Sequence, residues 1–211
     1  MTDLTEFWQD QHASNTPWLT GTTFGMILDQ YGLEPLTFQN HRCLEIGVGK
    51  GTITRCLSQL ADVVYGCDIS EEALSKVRSV TGGTWLTQDI EQIPSVDVVL
   101  CHLVFVHCDD NECERILKSI NLADQGKIFC QFSCFKDPEI GANDANDKIK
   151  DLLDVGVKHF FRNTDEIEAM IQSAGLQIHR TWNRYPGDYH GWAGQTWQYY
   201  ELSRQMKGIE T

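Results

Sequence analysis

The chain has 211 residues, of which 41% are hydrophobic and 22% are charged, and its formal net charge is −13. This length and composition are typical of one folded domain with a substantial core. The negative charge disfavours nucleic acids and anionic membranes as partners, because proteins bind both through basic surfaces.

The first residues, MTDLTE, are acidic and lack the apolar stretch of a secretion signal, and no run of 18 apolar residues follows. We therefore expect a cytoplasmic protein without a membrane span. The eight cysteines include no C-x-x-C pair. Free buried thiols are expected rather than disulfides, and no metal site is expected.

Two helices are predicted before the first strand. The first carries apolar residues at helical spacing, among them Phe7 and Trp8, and the second runs from about Thr22 to Tyr31 and ends at Gly32. Trp8 has two interpretations, either as a core aromatic residue or as a cover over a bound ligand that excludes water.

A glycine-rich turn follows the first predicted strand, which covers residues 43–46. Gly47, Gly49 and Gly51 occupy alternate positions, and a helical pattern begins at Thr52. Glycines allow a tight turn that brings backbone N–H groups close to a ligand. The N-terminus of the following helix favours negative charge or hydrogen-bond acceptors at the same place.

The glycine spacing excludes two common ligand motifs. A phosphate-binding P-loop requires G-x-x-x-x-G-K-[ST], but Lys50 is followed by Gly51, and no glycine lies five residues before Gly49. The dinucleotide fingerprint G-x-G-x-x-G requires its third glycine one residue later. Glu45, two residues before the first glycine, can accept a hydrogen bond from a ligand ammonium group or from N–H groups of the turn itself.

Acidic residues end the next two predicted strands. Residues 62–68 form the second strand, and an acid at its tip, Asp68, is placed to bind ribose hydroxyls in a doubly wound sheet. Ser70 is the expected N-cap of the following helix. The third strand, residues 84–87, leads to Asp89 and Ile90.

The fourth strand covers residues 96–101 and runs directly into His102, with His107 a few residues later. A helix from Asp109 and a fifth strand at residues 126–132 follow. The next helix is expected to have Thr164 as its N-cap. A sixth strand and a last strand complete the predicted elements.

The pattern E-x-G-x-G-x-G, followed in order by Asp68 and Asp89, resembles the motifs of the class I S-adenosylmethionine (SAM)-dependent methyltransferases, over most of residues 41–205. The resemblance implies an α/β fold with a doubly wound, seven-stranded, mostly parallel sheet whose last strand is antiparallel. It also implies a single domain, with residues 1–40 as an N-terminal helical lid and residues 41–211 as the SAM-binding core.

The resemblance implies SAM as the cofactor and S-adenosylhomocysteine (SAH) as its product. It places Asp89 near the adenine amino group, Ile90 against the ring and the backbone of His102 near the methionine part. The residues it assigns to cofactor binding are Glu45, Gly47, Gly49, Gly51, Asp68, Ile69, Asp89, Ile90, His102 and Trp8.

A catalytic base is needed only if the methyl acceptor arrives protonated, and histidine suits this role near neutral pH. His107 matches a histidine frequent in the family after the fourth strand, and His102 flanks the same strand end. Alternatively, His107 caps or packs against the following helix. His12 and His190 are further candidates, and the sequence does not choose among the four.

Two segments are candidates for contact with the acceptor, because both follow strand ends at the edge where such sheets bind ligands. The long irregular segment of residues 136–163 ends in a basic run with Arg162, which either binds an acidic group of the acceptor or lies in a solvated turn. The second segment, residues 185–194, carries Tyr189, His190 and Trp192, as substrate contacts or as surface packing.

The sequence therefore predicts an enzyme of the methyltransferase class, EC 2.1.1, which transfers a methyl group from SAM to an O or N atom of a small molecule by direct displacement. A small-molecule acceptor is expected because no basic or recognition domain is appended. One alternative is a catalytically silent SAM-binding scaffold or partner subunit of the same fold. Another is an NAD-linked enzyme, which the glycine spacing opposes.

Overall fold

The computed structural model describes residues 4–13, 23–81, 84–135, 160–184 and 195–205. In chain order, the elements are helix α1 (Leu4–Ala13), α2 (Phe24–Tyr31), strand β1 (Arg42–Ile46), α3 (Thr52–Leu57), β2 (Val63–Cys67), α4 (Glu71–Val80), β3 (Trp85–Thr87), β4 (Val96–Cys101), α5 (Asp110–Ser119), β5 (Leu122–Phe135), α6 (Thr164–Ser173), β6 (Leu176–Arg184) and β7 (Gln195–Arg204). Within these ranges, no helix has the length and apolarity needed to cross a membrane.

The strands form a seven-stranded sheet in the order β3-β2-β1-β4-β5-β7-β6. Neighbours from β3 to β5 pair in parallel, and β7 is antiparallel to both β5 and β6. The predicted mostly parallel sheet with an antiparallel last strand is thus confirmed. The strand order reverses between β1 and β4, and a ligand is expected in the crevice at the carboxyl ends of these strands.

Both faces of the central strands are covered, which explains their continuous apolar sequence. Leu44 points into a core cluster that contains buried residues of α5 and α6, whereas its neighbour Cys43 points into a second cluster with α2 and α3. Side chains alternate between the two faces of a strand, so β1 contributes to both clusters. A third, smaller cluster packs α4 against the sheet next to Val48 and Leu86.

The two N-terminal helices, predicted together as a lid, have different positions. Helix α2 belongs to the core, where Ile27 and Tyr31 are 2% and 0% exposed. Its last carbonyl groups accept hydrogen bonds from β6, since Trp182 Nε1 lies 3.1 Å from Gln30 O and Arg180 Nη2 lies 3.3 Å from Tyr31 O. Helix α1 instead contacts α4. The prediction of a lid therefore remains for α1 alone.

Helix ends follow the predicted capping chemistry with one correction. The Ser70 hydroxyl accepts a hydrogen bond in the first turn of α4, and Gly175 adopts a left-handed φ of 73° just beyond α6. The prediction of Thr164 as the N-cap of α6 is wrong, because Asn163 occupies that position. Its side chain accepts the Glu166 N–H at 2.8 Å, and the Glu166 carboxylate accepts the Asn163 N–H at 3.0 Å. This reciprocal pair is a capping box.

The cysteines form no disulfide bonds in the structure. All eight lie in the described ranges and are free, and seven of them are buried. Burial raises the pKa of several of these thiols, to about 12 for Cys43 and Cys67. The expectation of free buried thiols is confirmed, and such thiols behave as small apolar side chains.

Candidate active site

The glycine turn between β1 and α3 is built from three left-handed residues. Gly47, Gly49 and Gly51 have φ values of 80°, 49° and 77°, a region that favours glycine. Packing adds a second requirement at two of them. A Cβ atom on Gly47 would overlap the Val104 side chain, and one on Gly51 would lie 2.9 Å from Val77 Cγ2. Glycine is therefore required at Gly47 and Gly51 for two reasons, the left-handed backbone conformation and the lack of space for a side chain.

Glu45 lies behind this turn and is only 2% exposed. Its carboxyl group accepts hydrogen bonds from the hydroxyl and the backbone N–H of Thr54, in the first turn of α3. Burial raises the pKa of Glu45 well above its usual range, and the charge of Asp68 adds to this effect, while the bonds from Thr54 oppose it. Glu45 thus satisfies a helix N-terminus next to the turn. Its contact with a ligand ammonium group stays a prediction.

Asp68 follows β2 and is held beside the glycine turn. Its Oδ2 atom accepts the Gly49 N–H at 2.9 Å, and its Oδ1 atom accepts the Ser70 N–H at 2.9 Å. Burial raises the pKa of Asp68, and these two hydrogen bonds act in the opposite direction. Each carboxylate oxygen has a second lone pair, so the fixed group can still accept hydrogen bonds from a ligand. Ile69, next to it, is half-buried.

Asp89 occupies the corresponding position after β3, one strand further from the sheet centre. It is exposed, and its carboxylate caps the short 3-10 turn Ile90–Gln92, accepting the Glu91 N–H at 3.0 Å. Ile90 is 3% exposed and belongs to the core cluster on the α5 and α6 face. Asp68 and Asp89 therefore end neighbouring strands at one edge, as predicted, while the contact of Ile90 with an adenine ring stays a prediction.

His102 follows β4 and takes part in a polar cluster with Tyr31 and Gln131. The Tyr31 hydroxyl lies 3.0 Å from Cys101 O and 3.1 Å from Gln131 Oε1, and the Tyr31 and His102 rings meet edge to face with centroids 5.9 Å apart. Burial lowers the pKa of His102 to about 4, against the effect of a hydrogen bond to Gln131. The imidazole is therefore neutral at neutral pH.

Sequence reasoning missed Tyr31 and Gln131 as members of this cluster. Gln131 is 2% exposed and interrupts the apolar run at residues 128–132 of a predicted strand. A polar side chain inside a buried strand needs a hydrogen-bond partner, so this position offered a usable signal. Tyr31 offered none, because its hydroxyl meets partners that are 70 and 100 residues away in the sequence.

His107 lies in the turn that joins β4 to α5. Its backbone N–H donates a hydrogen bond to Val104 O at 2.9 Å, and its side chain is half-buried. Leu103, in the same turn, has a φ of 58° and remains 39% exposed. A left-handed leucine is uncommon, and such residues concentrate at functional sites. No pattern in the sequence indicated this conformation, and the choice of His102, His107 or another candidate histidine as a base stays open.

Arg162, predicted to face the acceptor, is bound to protein groups and 2% exposed. Its Nε lies 2.7 Å from Asp110 Oδ1, its Nη1 3.1 Å from Phe105 O and its Nη2 2.6 Å from Cys108 O. A contact with an acceptor would require these bonds to break. The structure therefore gives Arg162 a stabilising role, in which it ties the start of α6 to the turn after β4.

The other predicted acceptor contacts cannot be placed. Tyr189, His190 and Trp192 lie outside the described residues, as does most of the long segment before Arg162. The backbone of Trp8 belongs to α1, but its side chain is outside the description. These four assignments stay predictions.

The described groups together suit a polar organic ligand. In strand order β3, β2, β1 and β4, the edge presents Asp89, Asp68, the glycine turn and His102. Two carboxylates can accept hydrogen bonds from hydroxyl or amino groups, and the neutral imidazole can accept a proton. Among the residues described here, no three His, Cys, Asp or Glu side chains are grouped as metal ligands.

Solved structures share this fold at low sequence identity. A SAM-dependent methyltransferase from Anabaena variabilis matches with a TM-score of 0.69 and 14% identity, over 97% of this chain and 96% of that one. One from Mesorhizobium loti matches with a TM-score of 0.63 and 16% identity, over 88% and 100%. Magnesium protoporphyrin IX methyltransferase from Synechocystis, with bound SAH, matches with a TM-score of 0.55 and 20% identity, over 97% and 89%.

Sequence comparison gives a more local result. No curated protein matches the chain significantly. Residues 44–128, from β1 into β5, match a family described as a methyltransferase domain. This range contains the glycine turn, both acidic strand ends and His102. Through these residues, the chain is similar to a methyltransferase domain family, and its fold is that of solved SAM-dependent methyltransferases.

Proposed function

We propose that this protein is a SAM-dependent methyltransferase that methylates an O or N atom of a small molecule. The observation that carries the proposal is the position of Asp68, whose carboxylate is fixed by the Gly49 N–H beside the glycine turn. A vicinal diol such as that of ribose offers two O–H donors, and a fixed carboxylate with unused lone pairs is the matching acceptor.

The remaining residues at the edge fit the other parts of the cofactor. Asp89 would accept the adenine amino group, and Ile69 and Ile90 would lie against the ring. Glu45 would support the glycine turn indirectly, because its hydrogen bonds from Thr54 fix the start of α3. Gly47 and Gly51 would keep the turn close to Val104 and Val77, respectively.

When bound, SAM would supply an electrophilic methyl group: the acceptor atom would bond to the methyl carbon as the carbon–sulfur bond breaks, with SAH as the leaving group. The chain has to orient the acceptor and keep water away. His102 would accept the proton of a hydroxyl or ammonium group: it is neutral at neutral pH, and its pKa of about 4 makes it a weaker base than an ordinary histidine. His107 follows the same strand and is the second candidate base.

A small acceptor agrees with the charge of the chain and with one structural neighbour. The net charge of −13 opposes nucleic acid as a substrate. The Synechocystis enzyme, by its name, acts on magnesium protoporphyrin IX, which is a small molecule. The identity between the two chains is 20%, so this neighbour supports the size class of the acceptor and not its identity.

Cofactor binding can be tested by thermal shift titration with SAM, SAH and NAD at matched concentrations. Ligand at 100 times its Kd stabilises the folded state by about 2.7 kcal/mol. We expect the melting temperature to rise with SAM and SAH, and not with NAD. Asp68→Asn should weaken this response, and Asp62→Asn, at an exposed position, is the matched control. A rise with NAD alone would support the NAD-linked alternative.

Turnover needs a separate measurement. SAH formation can be followed by mass spectrometry with panels of small hydroxyl and amine acceptors. Methyl transfer to one class would identify the attacked atom. If SAM binds tightly but no acceptor yields SAH, the catalytically silent scaffold becomes the better description. If folded protein binds neither SAM nor SAH, the proposed function is refuted.

A further inference from the structure

Helix α1 is anchored over the cofactor edge by its last turn. The backbone carbonyl of His12 accepts a hydrogen bond from the Lys76 ammonium group on α4, and Lys76 also pairs with Glu72 at 3.5 Å. The last carbonyls of a helix lack partners within the helix, so a lysine from a neighbouring helix is a suitable donor. This contact fixes the end of α1 relative to α4.

The anchored turn places the His12 imidazole against the glycine turn. His12 is 3% exposed, and its Cε1 atom lies 3.6 Å from the position that a Cβ atom of Gly49 would take. The charged groups that face it are Asp68, Lys76, Lys50 and Glu72. Burial lowers the pKa of His12, and the neighbouring Asp68 charge opposes that shift. A polar ring is thus buried beside the predicted ribose acceptor.

We propose that His12 is a further cofactor-binding residue. Its N–H donates a hydrogen bond to one ribose hydroxyl, while Asp68 accepts hydrogen bonds from both hydroxyls. This inference rests on the proposed function. A carboxylate can accept both hydroxyl protons but cannot donate to the hydroxyl oxygens. The neutral imidazole carries one N–H and supplies that donor. Lys76 is the positioning residue, because it holds the turn that carries His12.

The inference predicts coupling between His12 and a single hydroxyl group. Calorimetric titrations would compare SAH with its 2′-deoxy and 3′-deoxy analogues, in the wild type and in His12→Leu. One hydrogen bond corresponds to about a tenfold change in Kd. We expect His12→Leu to bind SAH roughly tenfold more weakly and to lose about tenfold of the wild-type discrimination against one of the two analogues, while the discrimination against the other stays unchanged.

Lys76→Met should weaken SAH binding and the discrimination against the same analogue by smaller factors, because α1 would lose its anchor while the imidazole remains. Lys118→Met on α5 removes a similar exposed pair, with Glu114, and His179→Leu removes an exposed histidine on β6. Both controls should leave the Kd for SAH unchanged. Unfolding curves would show whether each variant is folded, and His12→Phe, which keeps a ring but has no donor, replaces His12→Leu if the latter is not.

The outcomes separate this inference from the proposed function. If the wild type binds no SAH, the proposed function fails. If SAH binds and the His12 variant weakens SAH and both analogues by the same factor, His12 only packs α1, and the inference is overturned. The same conclusion follows if the variant binds all three ligands as the wild type does.

Discussion

Replacement of Gly47 by alanine tests what fixes the glycine turn. The φ of 80° is a left-handed conformation, which costs an L residue about 1–2 kcal/mol. The new Cβ would also overlap Val104 Cγ2, and overpacking of this kind costs about 1–3 kcal/mol. Gly47→Ala should therefore lower the free energy of unfolding by about 2–5 kcal/mol.

The two causes can be separated with a second substitution. Val104→Ala removes the overlapping methyl group and leaves the backbone strain unchanged. In the double variant, we expect about 1–3 kcal/mol of the Gly47→Ala loss to be recovered, measured as a coupling energy in a double-mutant cycle. Gly25→Ala is the control, because a Cβ there has no atom within 4 Å and the site is in α2. That change should stabilise the protein by about 0.5–1 kcal/mol.

Equilibrium unfolding in urea, followed by tryptophan fluorescence, would provide these free energies. The slope against urea concentration should stay constant if only the native state changes. Additive effects of Gly47→Ala and Val104→Ala would refute the packing argument. A loss below about 1 kcal/mol in Gly47→Ala alone would refute the argument from backbone conformation.

Three further substitutions or titrations test the site. Since burial raises the pKa of Glu45, the unfolding free energy of the wild type should fall as pH rises above the usual carboxyl pKa, about 4.3, toward the raised folded pKa. Glu45→Gln has no charge to bury, so its unfolding free energy should not show this decline. In urea unfolding, the stability of the variant relative to the wild type should therefore increase from pH 4 to pH 7. A difference that is flat with pH would contradict the burial of this carboxyl group. The ring signals of His102 in NMR titrations should give a pKa of about 4, so its contribution to stability is present above about pH 6.5 and lost as pH falls toward 4. A value near 6.5 would show that the ring is solvated. Arg162→Met should cost about 2–6 kcal/mol in urea, because two buried carbonyl groups lose their donor. Arg115→Met, at an exposed ion pair with Glu112, should cost less than about 1 kcal/mol. Loss of turnover without loss of stability would instead support the predicted acceptor contact of Arg162.

The sequence was sufficient to place the candidate site residues at one edge of the sheet, because that placement follows from local pattern and one topological rule. The strand, glycine turn and helix around Gly47 are contiguous in the chain, and the acids Asp68 and Asp89 each follow a predicted strand directly. Parallel strands bring their carboxyl ends to one edge, so these positions could be combined without knowing the tertiary packing.

The position of α2 could not be predicted from local sequence patterns. Its periodicity identified an inward apolar face, but not the surface that the face packs against. In the structure, the end of α2 is bound by Arg180 and Trp182, which are about 150 residues away in the sequence. No local signal indicates such partners. The helix was therefore predicted as part of a lid, whereas Tyr31 is fully buried in the core.

Long-range hydrogen bonds also explain how the candidate bases are held. Tyr31, from α2, binds the carbonyl of Cys101 at the end of β4, and Arg162, before α6, binds the carbonyls of Phe105 and Cys108. The turn with both histidines lies between these attachment points. Two side chains that are distant in the sequence thus restrain its backbone from both ends. A proton acceptor on a restrained turn needs less reorganisation to meet an acceptor molecule than one on a free loop.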